Sequence, residues 1–158
     1  MGTRGYVGCP DATDPTVVHL RYVHSDAVPE DMVPALTAIQ QLTFSGDTAA
    51  TVTALLRRTW AYLGADVTTD DTFLAGDTPI AGVGMAIDAA PTDPPTAVPV
   101  ARLDELSGPW VYLIDPAANT LTVLSTDDPD HPVARYTFTA PPTPPTLPAP
   151  GRAVGGQR

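Results

Sequence analysis

Apolar positions recur along this chain with two different periods, and the switches between them divide it into elements. Between residues 16 and 24, Val18, Leu20 and Tyr22 alternate with His19 and Arg21. A period of two gives a strand with one buried face and one more polar face. A shorter β-prone run, Gly-Tyr-Val-Gly-Cys, occupies residues 5–9, and the turn formers Pro10, Asp11, Asp14 and Pro15 lie between the two. The runs are therefore expected to pair as an N-terminal hairpin. The period then lengthens. Val33, Leu36 and Ile39 stand three apart and predict a helix over 32–42, with Pro34 admissible only in its first turn. Ser45, Gly46 and Asp47 interrupt it. Asp47 or Thr48 can cap a second helix, whose apolar face carries Val52, Leu55, Leu56 and Leu63. Arg57 and Arg58 fall near the end of that helix, where cations suit its dipole.

Residues 64–79 are polar and read as loop, and the apolar run 80–87 reads as one buried strand. The proline-rich stretch 88–99 reads as a linker or extended surface loop, and 101–106 as a short helical turn. The clearest hairpin joins 110–114 to 121–124. Pro116 sets φ in its turn, and Asn119 accepts a left-handed backbone. Residues 135–139 add an edge strand with Tyr136 and Phe138 on one face. From 140 onward the chain is rich in Pro, Gly and Ala, too poor in apolar bulk to fold. Strands with grouped helices predict an α+β fold, an antiparallel or mixed sheet with two helices packed on one face. The expected organisation is one domain over 1–139 and a flexible, disordered C-terminal tail over 140–158.

Composition narrows the function classes. The chain has 158 residues and a net charge of −10, from eighteen acids and eight bases. All eight bases are Arg, and sixteen of the acids are Asp. Arg in place of Lys, with abundant Ala, Pro, Thr and Asp, is the bias of a GC-rich genome. The acidity argues against nucleic-acid binding, which needs a basic stripe to neutralise phosphates, and against docking on an anionic membrane. A protein partner stays open. With one cysteine, Cys9, neither an internal disulfide nor a cysteine-based metal cluster is possible. The N-terminus lacks the apolar core of a signal peptide, and no run is apolar for long enough to span a membrane. A cytoplasmic protein is expected.

Few residues offer chemistry. Arg21, Tyr22, His24, Ser25 and Asp26 fall within six positions where a strand gives way to a loop. A rigid strand can aim side chains there, with His24 as a base and Asp26 orienting it. The plain alternative is an ordinary turn whose Ser25 or Asp26 caps backbone groups. His19 and His24 lie five apart, so a regular strand points them to opposite faces and a shared metal ion is not expected. His131 sits among Asp127, Asp128 and Asp130 without the spacing or glycine of a calcium loop. Cys9 reads as a small buried hydrophobe. Gly82-Val83-Gly84 lacks the third glycine of a phosphate cradle, so no cofactor is expected. Arg57 and Arg58 could bind an anion, although a solvated helix end also accounts for them.

Several of these residues carry a resemblance. Gly2-Thr3-Arg4-Gly5, then Tyr22-Val23-His24-Ser25-Asp26 with Pro29, and late in the chain Trp110-Val111-Tyr112-Leu113-Ile114-Asp115 resemble an uncharacterised family of short proteins from actinobacteria and their phages. The likeness covers about the first forty residues and the late hairpin, and it adds Arg4 to the candidate cluster of Arg21, Tyr22, His24 and Asp26. It implies organisation and no activity. The opening hairpin, with Arg and Asp at the end of its second strand, also looks like the start of N-terminal-nucleophile amidohydrolases. Those enzymes attack with the side chain of residue two, and here that residue is Gly2. The resemblance implies a relative without its nucleophile. Two functions are expected from these readings: a non-enzymatic interaction protein, or a hydrolase or small-ligand-binding protein using the strand-end cluster.

Overall fold

A computed structural model describes residues 3–72, 76–87 and 93–138. Its sheet grows outward from strand β1 (Gly5–Pro10), which pairs antiparallel with β2 (Val17–Val23) over its whole length, Gly5 opposite Val23 and Pro10 opposite Val18. On its other side β1 runs parallel to β7 (Trp110–Asp115), which forms the expected hairpin with β8 (Thr120–Ser125). Strand β9 (Ala134–Thr137) closes that end. At the other end, β2 meets β3 (Trp60–Leu63) at Val23 and Trp60, and β3 continues to β5 (Gly84–Ala86) and β4 (Thr78–Ile80). The order is β4-β5-β3-β2-β1-β7-β8-β9, with β6 (Thr96–Pro99) paired to β2 off this path. The sheet is thus mixed, and with the helices the fold is α+β.

Helix α1 (Pro29–Ala38) runs into a π-helical turn, Ile39–Thr43, and α2 (Thr48–Leu56) comes next. Met32, Leu36, Ile39, Val52 and Leu55 from this helical segment share one buried cluster with Val7, Val23, Tyr112 and Ile114 of the sheet. The alternate residues Val18, Leu20, Val111 and Leu113 join a second cluster with Val98 and Leu103, from β6 and the 3-10 turn Val100–Glu105. Strands β2 and β7 are therefore covered on both faces. Asp47 caps α2 through Ala50 N–H, 3.0 Å from its Oδ1, and Asn119 takes the left-handed backbone that its turn requires, φ 59°.

Four expectations from the sequence are corrected. The first helix starts at Pro29, so Pro34 lies in its second turn. A proline at the first helical position supplies its own φ, and Glu30 and Asp31 in the first turn favour that start electrostatically. The second helix stops at Leu56, and Trp60–Leu63 is strand β3. Leu63 continues a helical spacing, but a short apolar run cannot by itself separate helix from strand. The run 80–87 is not one strand: β4 begins at Thr78, inside the expected loop, and ends at Ile80, and Gly82 turns the chain at φ 76° into β5. Within the proline-rich stretch, Thr96–Pro99 is β6, on a sheet edge where a missing N–H is tolerated. The expected tail lies outside the described residues.

One contact ties the loop between β2 and α1 to strand β7. Tyr112 is fully buried, and its hydroxyl donates to the Ala27 carbonyl at 2.5 Å. Burial, with Glu30 and Asp31 nearby, pushes the phenol well above its ordinary pKa, so it remains a donor. Tyr112→Phe removes the donor and leaves a buried carbonyl orphaned. The expected loss is about 1–3 kcal/mol, read as a lower urea midpoint with an unchanged slope.

Candidate functional site

The sequence singles out the residues at the end of β2. The alternation of that strand sends Tyr22 to one face and Arg21 to the other. Tyr22 packs against Tyr6 in a tilted contact, ring centroids 5.8 Å apart, and borders a hollow of about 80 Å³ with Leu20 and Val98. Its hydroxyl is 2.9 Å from His24 Nδ1. Arg21 is fixed elsewhere: Nε donates to the Leu56 carbonyl at 2.6 Å and a terminal nitrogen to the Asp93 carbonyl at 2.7 Å. It fills the gap where the edge of β2 passes from β6, paired up to Leu20, to β3, paired at Val23. Arg4 and Asp26 are exposed, and neither side chain bonds to a described residue. Asp26 sits at φ 61°, a turn conformation. The structure thus brings Tyr22 and His24 together, while Arg4, Arg21 and Asp26 share no hydrogen bond with one another among the described residues. An Asp26–His24 pair is not formed, because the chain turns between the two.

The remaining candidates are held in local structure. His19 Nε2 lies 2.7 Å from Asp11 Oδ1 across the first hairpin, and Asp11 Oδ2 accepts from the N–H groups of Thr13 and Asp14. The bond to His19, with those from Thr13 and Asp14, holds the Asp11 carboxyl well below its ordinary pKa. A carboxylate whose folded pKa is depressed adds stability above its unfolded value, near 4, and that stability is lost as pH falls through the folded value. Thermal melts at stepped acidic pH should therefore fall less steeply in Asp11→Asn than in the wild type. Equal slopes below pH 4 would show that Asp11 is not the group concerned. His131 pairs with exposed Asp128 at 2.9 Å. Among the described residues no three His, Cys, Asp or Glu side chains are grouped to hold a metal ion. Burial, then Asp11 and Asp115, raises the pKa of Cys9 and keeps its thiol protonated.

The larger concavity lies beside α2, a cleft of about 510 Å³. Ala50, Thr53 and Ala54 recur at helical spacing along one wall, and their small size leaves the space unfilled. Half-buried Phe44 contributes aromatic surface with Trp60 buried behind it, and Ile80 and Val83 of the β4–β5 hairpin form the opposite wall. Arg57 and Arg58 line the cleft where α2 ends. Arg57 is exposed, and its side chain makes no hydrogen bond or ion pair with a described residue. Two further hollows lack this pairing of apolar wall and unengaged cation. One, about 480 Å³, runs along Ala35, Ala38 and Leu42, and the other, about 340 Å³, holds Arg135, which already donates to Thr122.

Of the cleft, the sequence exposes only Arg57, Arg58 and the small-residue spacing on α2. Trp60, Ile80 and Val83 come from segments that gain their places by strand pairing. No protein-family model, curated protein or solved structure matches the chain.

Proposed function

We propose that this chain is a non-enzymatic interaction protein of the cytoplasm, an accessory factor of an actinobacterium or its phage. In this reading two helices lie on one face of the sheet, and the protein works by taking an apolar group into the cleft beside α2. The observation that carries the reading is the cleft itself. Its volume is that of small-ligand sites, its walls are mainly apolar, and few polar groups converge on it. The dispersal of Arg4, Arg21 and Asp26 supports the non-enzymatic side, because a general base needs its partners within hydrogen-bond reach.

The test uses N-phenyl-1-naphthylamine, a neutral aromatic whose fluorescence rises in apolar surroundings. It should bind the wild-type chain, and Thr53→Phe and Ala81→Phe, each placing a ring in the cleft from an exposed position, should abolish the rise. Circular dichroism confirms that both variants fold. No rise with the wild type, or an undiminished rise with both variants, sinks the reading.

One observation favours the hydrolase alternative. The Tyr22 hydroxyl engages His24 Nδ1 and leaves Nε2 without a partner among the described residues. Turnover of p-nitrophenyl acetate that His24→Ala abolishes would establish that alternative instead.

A further inference from the structure

We infer that the cleft beside α2 selects small amphipathic anions, molecules with an aromatic or aliphatic body and one carboxylate or sulfonate, and that Arg57 supplies the selecting charge. This rests on the cleft being a binding site and adds the chemistry of its ligand. The chain carries a net charge of −10, so its overall field repels anions. Against that field, two of the eight arginines line one apolar cleft.

A helix-end role does not account for Arg57. An arginine at such an end is ordinarily explained by the orphan carbonyls and the negative pole of the dipole. Here the Leu56 carbonyl already accepts from Arg21 Nε at 2.6 Å, and the Leu55 carbonyl from Trp60 Nε1 at 2.9 Å. The last two carbonyls of α2 are thus satisfied by side chains from β2 and β3. That leaves an exposed guanidinium, without a partner among the described residues, beside apolar surface. Guanidinium matches a planar carboxylate in geometry and is weakly hydrated, so it binds such anions well at the margin of an apolar surface. Phe44, Ile80 and the small residues Ala50 and Ala54 would take the apolar body, with the charged end toward Arg57.

A matched pair of dyes separates the two claims. The neutral compound is N-phenyl-1-naphthylamine, and 8-anilinonaphthalene-1-sulfonate is the same ring system with a sulfonate added. The sulfonate should bind about 2- to 5-fold more tightly in low salt, the range of one partly exposed ion pair. Arg57→Gln should reduce it to the affinity of the neutral dye and leave the neutral dye unchanged. Added salt should have the same effect as the substitution. Arg57 is exposed and bonds to no described residue, so the fold is expected to tolerate Gln, which circular dichroism checks. If the neutral dye binds and Arg57→Gln leaves the affinities of both dyes alone, the anion inference falls and the cleft reading stands. If neither dye binds, or Thr53→Phe leaves sulfonate binding intact, both fall.

Discussion

Gly8→Ala should be among the most damaging single substitutions in this protein, although it adds only one methyl group. Gly8 lies in the central strand β1, between Leu20 of β2 and Leu113 of β7. A Cβ there would stand 1.7 Å from the His19 carbonyl oxygen and 3.0 Å from Leu20 Cα. Both are backbone atoms in the paired strand, so no rotamer change relieves the clash. The β1–β2 ladder would have to separate where it carries core residues on both faces, Val7 on one and Leu20 on the other. The expected cost is about 3 kcal/mol or more, a large share of the roughly 5–15 kcal/mol that holds a domain together. Gly76→Ala is the control. Gly76 has φ 92° and open space around its missing Cβ, so strain alone should cost about 1 kcal/mol. Urea denaturation compares the two, and a Gly8→Ala loss no greater than that of Gly76→Ala would mean the strands do not approach so closely.

Trp60→Ala should cost about 3–5 kcal/mol, in the range for deleting a large buried aromatic. Trp60 is 0% exposed, and its indole Nε1 donates to the Leu55 carbonyl at 2.9 Å. Its own carbonyl accepts from His24 N–H at 2.9 Å, which joins β3 to the end of β2. The substitution removes packing and a hydrogen bond at the junction of α2, β2 and β3. Trp60→Phe retains most of the apolar volume and loses the indole donor, so it should cost about 1–3 kcal/mol. Equal losses for the two would show that the hydrogen bond, and not the volume, accounts for the effect. The same junction forms part of the cleft, so the Ala variant should also change dye binding there.

Strict alternation and strong turn chemistry made the two hairpins readable in the sequence. In β2, Val18 and Leu20 leave no other register that buries them. At Asn119 the left-handed backbone is set by the residue type. Asp47 was legible as a cap for a similarly local reason. The end of α2 was not legible, because Leu55, Leu56 and Leu63 fit a helix as well as they fit a helix that gives way to a strand. The deciding factors are the pairing of Trp60 with Val23 and the Arg21 donor on the Leu56 carbonyl, both supplied from outside the segment. The candidate site shows the same division. Arg21, Tyr22, His24 and Asp26 are close in number, but a strand sends neighbours to opposite faces, and the turn at Asp26 carries its carboxylate away from His24.

By itself, the sequence determined the local conformations that side-chain chemistry dictates: alternating strands, the capped start of α2, the turn at Asn119 and the acidity that sets the field. Tertiary structure decided everything that depends on distant partners. It paired Thr78–Ile80 with Gly84–Ala86 across a turn at Gly82, drew Thr96–Pro99 onto β2, committed Arg21 to the carbonyls of Leu56 and Asp93, and assembled a cleft from α2, Trp60 and the β4–β5 hairpin. The physical reason is that turn and cap preferences act over a few residues, whereas burial and strand pairing are satisfied only when segments far apart in sequence meet.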